Sequence, residues 1–279
     1  FMSCQEQTGI SSLPRLAPTH RCHEHDWLLK FVCDRRRWLA WLFEARKRYG
    51  LTILNYVVTS NHIHLLVHAD GDRLTIPRSM QLLAGRVAQE FNLRKQRTGA
   101  FWEDRYHATA VETGRHLRRC MTYIDLNMVR AGVVKHPADW ECCGYRGIRN
   151  PPLRYRCIDR IDRGVLARLL ELSTVDDVCT WQERVVRESL ETQTKPPRCP
   201  EWTESIAVGD ERYLHGIGAE LGMIAHYRDV TLLRDGTSVL RETPRAYTTR
   251  NAPENTILSC DNSLIWDVTF RNQAIALVR

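Results

Sequence analysis

Residues 51–58, LTILNYVV, and 62–68, HIHLLVH, are two β-branched apolar runs separated by Thr59-Ser60-Asn61, and this pairing constrains the chain more than any other feature. Runs of this length joined by a short polar connection form a β-hairpin, closed on its far side by Asp70-Gly71. Strand side chains alternate, so His62 and His64 share one face while Ile63, Leu65 and Val67 turn the other way into a core. Two imidazoles side by side can share one metal ion; a pair of exposed histidines on a half-wet face fits the bare spacing equally.

The flanking segments read as helices. Residues 34–50 place Trp38, Leu39, Leu42 and Phe43 on one side of a helix with a basic outer face and Gly50 as its C-cap. From Pro77, which a first helical turn tolerates, Met80, Leu83, Val87 and Phe91 line one face of a second helix that ends in cations. HATAVE (107–112) is a short strand, and residues 115–132 carry Leu117, Met121, Ile124 and Met128 at helical spacing up to a Gly132 stop. With a further strand near APTHRCH (17–23), the expected fold class is α+β, a ferredoxin-like four-stranded antiparallel sheet with helices packed on it. This domain is expected to span residues 1–150. Two prolines in NPPLRYR (150–156) mark a boundary, helical patterns follow near 163–172 and 175–192, and TKPPRCPEW (194–202) reads as a linker. Residues 151–279 are thus expected to form a mixed, mostly helical C-terminal extension.

Charge separates the two parts. Residues 1–150 hold 23 Lys and Arg against 14 Asp and Glu, leaving 17 against 19 for the rest, so a polyanion is expected on the first part. The 10 cysteines form no CxxC pair in a chain too long to need disulfide staples, which predicts reduced thiols. No apolar run approaches the roughly 20 residues that cross a bilayer, and residues 1–16 lack a signal-peptide layout; no membrane partner and a cytoplasmic location are expected.

On the last helix of the basic part, His116, Arg119, Tyr123, Asn127 and Arg130 recur at three or four residues and form a polar stripe opposite the apolar one. A phenol, an amide and two guanidinium groups on one face suit phosphate chemistry, where their separate readings are a core-edge tyrosine and a solvated basic face. Between the second helix and HATAVE, RKQRTGAFWEDRYH (94–107) mixes Arg94, Lys95, Arg97 and Arg105 with Phe101, Trp102 and Tyr106. Cations there can track phosphates while aromatic faces stack on unpaired bases; Trp102 fits core burial as well. HRCHEH (20–25) offers His20, Cys22, His23 and His25 as zinc ligands, but the spacing is too tight for a standard structural site, and a strand end with a polar loop is the preferred reading. Cys142-Cys143 reads as structural.

NHIHLLV, FWEDRYHATAVE and YIDLNMVRAGVV, in this order, resemble the single-tyrosine transposases of the HUH superfamily, and among them the REP-associated tyrosine transposases of bacteria. The likeness extends over FVCDRRRWLAWLFEARKRYG and GYRGIRN, about residues 19–150, and EWTESIAVG and SVLRET resemble tail elements of a long-tailed subgroup. The resemblance implies an HUH fold in which Tyr123 is the nucleophile. Its hydroxyl would attack single-stranded DNA and leave a 5′-phosphotyrosine link and a free 3′-hydroxyl, storing the bond energy without ATP. A phenol titrates near pH 10, so it needs a nearby cation or proton acceptor.

The family also implies hairpin-forming palindromes as substrate, a divalent cation on His62 and His64, and a third ligand one turn past the nucleophile, at Asn127. An amide oxygen with two imidazoles suits Mg2+ or Mn2+ in an open site. His68, two steps further along the strand, is either a reserve ligand or solvated. The expected DNA contacts are Arg94, Lys95, Arg97, Trp102, Arg105, Tyr106, Arg119 and Arg130, and the protein is expected to be a monomer or homodimer. A catalytically decayed hairpin-binding protein and a small-molecule metallohydrolase on the same histidines are the alternatives, which dependence on Tyr123 separates.

Overall fold

The computed structural model describes residues 15–69, 72–149, 161–192, 199–225, 228–233 and 235–242. Asp70-Gly71, the boundary at 150–156 and most of the linker at 194–202 lie outside the described residues. Strands β1 (Arg15–Arg21), β2 (Thr52–Val58), β3 (His62–His68) and β4 (His107–Val111) lie in the order β2-β3-β1-β4, every pair antiparallel. Helix α1 (Val32–Tyr49) joins β1 to β2, and α2 (Thr75–Lys95) joins β3 to β4, which is the expected ferredoxin-like arrangement.

Local sequence accounts for these elements. Thr59 closes the hairpin, its N–H and hydroxyl both donating to the His62 carbonyl at 2.9 and 2.8 Å. Helix α1 buries Trp38, Leu39, Leu42 and Ala45, and full burial of a side chain such as Leu42 contributes roughly 1.5–3 kcal/mol. It stops at Gly50 (φ 70°), behind a last turn of Arg46, Lys47 and Arg48 that complements the helix dipole. Helix α2 buries Met80, Leu83, Val87 and Phe91 as the pattern predicts.

The register sorts residues between the two faces of the sheet. Thr19 pairs with His64 and His107, Arg21 with His62, and Val57 with His64, so these side chains share one face. His20 and Ile63 pair on the other, where Trp102 stacks on His20 and donates its indole N–H to the Ala84 carbonyl of α2 at 3.0 Å. Helix α3 (Arg115–Asp125) covers the first face, and α1 packs beside α2. Both faces of β3 are therefore buried, and His64 and His68 are each 5% exposed. Of the two readings of the HxH spacing, the half-wet face is the one the burial goes against, and His68 is buried rather than solvated.

Two departures matter for the site. The helix expected over residues 115–132 breaks at Leu126 into α3 and the short α4 (Asn127–Arg130). And the sheet does not end at β4: β5 (Ala207–Gly209) joins it in parallel, followed by β7 (Ser238–Glu242) and β6 (Arg228–Leu232), giving seven strands. Helices α5 (Gly144–Arg149), α6 (Arg163–Leu169), α7 (Val175–Glu191), α8 (Glu201–Glu204) and α9 (Glu211–Leu221) complete the described chain. No helix among the described residues is long and apolar enough to cross a membrane. The described cysteines are free thiols, with Cys22, Cys120, Cys142 and Cys143 buried.

Candidate active site

His62 and His64 leave β3 on one side, as period-two alternation requires, and their ring centroids lie 5.1 Å apart. The Nδ1 atom of His62 meets Thr59 Oγ1 at 3.0 Å and Asn61 Oδ1 at 2.8 Å. Thr59 already donates its proton to the His62 carbonyl, and the Asn61 amide nitrogen is turned to the His25 carbonyl. Both groups therefore accept at the ring, which places the His62 proton on Nδ1 and the lone pair on Nε2. The His64 Nδ1 is held by Thr19 Oγ1 at 3.0 Å, and among the described residues no group bonds Nε2 of either ring. Anchored at one nitrogen and open at the other, both rings have the arrangement of metal-ligating histidines.

Burial sets their charge. Desolvation lowers the His62 pKa to about 4 and that of His64 well below 6.5; Arg21 and Arg130 add to both, and His62 adds to the shift of His64. Near pH 7 both are neutral and their lone pairs are available. Arg21, opposite His62 in the register, is a site neighbour that sequence reasoning missed; an assured first strand with alternating side chains would have put it beside Thr19 on the histidine face.

Tyr123, on α3, packs edge-on against His64, with ring centroids 5.5 Å apart. Arg130 lies over its other side, the guanidinium carbon 3.9 Å from the ring centroid. The break at Leu126 makes this contact possible: Arg130 Nη1 donates to the Tyr123 carbonyl at 2.8 Å, the acceptor that Asn127 N–H would use in an unbroken helix. Asn127 then opens α4, buried at 7% exposure, with a side-chain amide that makes no hydrogen bond among the described residues. Among these residues no group of three His, Cys, Asp or Glu side chains could hold a metal ion. A third donor to the histidine pair would thus be an amide, phosphate or water oxygen, a set that suits a hard divalent cation with open positions.

A buried network fixes α3 over the sheet. Asn55 pairs with Leu66 and so shares the face of Val57 and His64 that α3 covers, where its amide donates to Asp125 Oδ1 at 2.9 Å. Gln182 of α7 donates to Asp125 Oδ2 at 2.8 Å. Desolvation raises the Asp125 pKa to about 7, while both amides work against the rise. Gly144 leaves room for the network, since a Cβ there would meet Asn55 Oδ1 at 2.2 Å and the Tyr56 nitrogen at 3.0 Å.

The remaining predicted contacts are dispersed. Arg119 points away from the histidines, bonded to Thr237 and Asp235. Arg94 is paired with the buried Asp34, and Arg97 donates to Asn92 and to the Ala100 carbonyl. Lys95, 5.4 Å from the Phe31 ring centroid, and Arg105 are exposed, while Trp102 is half-buried on His20, and Tyr106 is also half-buried. This loop reaches the site through backbone: Glu103 N–H donates to the carbonyl of Arg21, the ladder partner of His62. The zinc reading of HRCHEH is not supported, because the His20 ring is held by Trp102 and the Asp104 carbonyl.

Residues 30–127 match the family described as Transposase IS200 like. The matched segment takes in His62, His64, Tyr123 and Asn127, and the resemblance read from the sequence is shown over this segment. Among solved structures, the chain is similar to that of a REP-associated tyrosine transposase bound to a REP hairpin, at 18% identity and a TM-score of 0.39, over 48% of this chain and 77% of that one. No curated protein matches the sequence.

Proposed function

We propose that this chain, which carries an IS200-like transposase segment, cleaves and rejoins hairpin-bearing single-stranded DNA through Tyr123 with the help of a divalent cation. One observation carries the reading: the Tyr123 ring lies between His64, one of a neutral imidazole pair, and the half-buried Arg130 guanidinium. In the reaction the Tyr123 hydroxyl oxygen bonds to phosphorus as the bond to the upstream 3′-oxygen breaks. The phenol loses its proton, the departing oxygen gains one, and the reverse attack restores the strand without an external energy source.

Each neighbour has a part in this. Arg130, half-buried, places positive charge beside the phenol as its oxygen becomes anionic, where that charge is less screened than at an open surface. His62, His64 and Asn127 would hold Mg2+ or Mn2+, which when bound supplies a Lewis acid for the phosphate oxygens. Thr59, Asn61 and Thr19 hold the imidazoles by Nδ1 and leave Nε2 of each for a cation. Arg21, beside His62, is placed to meet the phosphate on the strand side.

The test is incubation of end-labelled single-stranded hairpin oligonucleotides with the protein and Mg2+. Nicking with a covalent DNA adduct, both lost in Tyr123→Phe, is the expected result. Hairpin binding without any cleavage would assign the protein to the decayed hairpin binders instead, and cleavage indifferent to Tyr123 would end the tyrosine mechanism.

A further inference from the structure

A cavity of about 690 Å3 lies between α3 and α7, with Tyr123 on its border. The histidine pair does not line it, so Tyr123 separates two spaces. One wall is cationic, with Arg115, Arg118 and Arg119 on α3 and Arg130 beyond them. Arg119 meets the carboxylates of Asp235 and Glu201. Arg115, by contrast, is turned to the His116 ring, Arg118 to the Leu170 carbonyl and Arg130 to the Tyr123 carbonyl; among the described residues these three form no ion pair. Elsewhere in the lining the single carboxylate among the described residues is Glu188, and Trp181 and Trp202 are buried core residues, 6% and 2% exposed. Guanidinium groups without carboxylate partners, gathered on one cavity wall beside Tyr123, match the phosphates of an unpaired nucleic-acid strand. The volume falls within the range of small-ligand pockets, which suits single-stranded nucleotides rather than a duplex.

We propose that this cavity holds the nucleotides immediately 3′ of the scissile phosphate, the strand that stays on Tyr123 after cleavage; the assignment rests on the tyrosine-transfer reading above. The geometry of substitution gives the direction. Attacking and leaving oxygens lie in line through phosphorus, so the upstream 3′-oxygen departs on the side away from Tyr123. The downstream nucleotide keeps its bond to the phosphorus that becomes attached to the phenol oxygen, and must occupy space beside Tyr123. His64 fills one side of that ring, and the cavity adjoins it elsewhere.

The test uses tetrathymidylate bearing a 5′-phosphate and a 3′-fluorophore, titrated with the full chain and followed by anisotropy at low salt. Ser189, half-buried on the α7 wall, is changed to Glu, and the exposed Glu188 to Lys. Ser189→Glu is expected to weaken binding about tenfold and Glu188→Lys to strengthen it about threefold, by repulsion and attraction of the phosphates. If both charge variants melt like the parent and bind the probe within about twofold of it, the assignment is overturned. Hairpin nicking by the parent separates the two levels: no nicking overturns the tyrosine-transfer reading, whereas nicking with unmoved charge variants overturns the cavity alone.

Discussion

Arg130 holds Tyr123 twice, with its guanidinium carbon 3.9 Å from the ring centroid and Nη1 bonded to the Tyr123 carbonyl at 2.8 Å. The first contact concerns charge at the phenol and the second the helix break that brings the two residues together. Arg130→Ala should therefore lower single-turnover cleavage by about 100-fold or more, the usual effect of removing one preorganised electrostatic contact. Arg130→Lys should recover part of the rate, because it restores charge but not the planar bonding that spans ring and carbonyl. Equal rates for Ala and Lys would show that the charge is irrelevant.

Neutral histidines predict metal binding that survives mild acid. A histidine at its ordinary pKa of 6.5 loses its lone pair to a proton below that pH, whereas His62 does so only near 4 and His64 lower than its ordinary value by a wide margin. Mn2+ affinity followed by calorimetry should stay within about threefold between pH 7 and 5.5. His64→Ala should abolish it. Asn127→Asp should tighten it by adding a charge to the ligand set, and an unchanged affinity there would remove Asn127 from the site.

The same shifts link fold stability to pH. Because the folded-state values of His62 and His64 are depressed, the unfolded chain binds protons that the native state does not, and stability falls as pH drops through 6.5, at about 1.4 kcal/mol per unit per histidine at most. Asp125 acts in the opposite sense. Its folded value is raised to about 7, so its contribution is largest below the ordinary carboxylate range and lost as pH rises to about 7. Asp125→Asn, which mimics the neutral acid, should thus gain in melting temperature relative to the parent as pH rises from 4 to 7, with a constant gap above. A gap that does not vary with pH would mean that Asp125 ionises at its ordinary value.

Gly144→Ala should destabilise the protein by about 1–3 kcal/mol, the typical result of overpacking. The added Cβ collides with Asn55 Oδ1 and the Tyr56 nitrogen, and the collision reaches α3 through the Asn55 bond to Asp125. Thermal unfolding measures the loss. Cleavage by the folded fraction should fall too, because α3 carries Tyr123.

Periodicity decided much of this protein before any folding is considered. Alternation in residues 52–68 suffices to put His62 and His64 on one side of a strand, and helical spacing suffices for the buried faces of α1 and α2, because each depends on residues near in sequence. The family motifs likewise singled out Tyr123 and Asn127. Long-range contacts decided the rest. The joint at Leu126 depends on a carbonyl captured by Arg130, the Asn55 amide finds its carboxylate partner Asp125 only across the fold, and Gln182, 57 residues from Asp125, completes that network. Arg119 fits a solvated or DNA-facing stripe by spacing, yet it is drawn to Asp235 and Thr237 on the far edge of the sheet. Strand β5 has three residues, too few for an alternation to register, and β4 supplies the edge that pairs it. Side-chain period is a local property, whereas capture of a carbonyl, a carboxylate or a strand edge requires two distant segments in contact, and that comes only with folding.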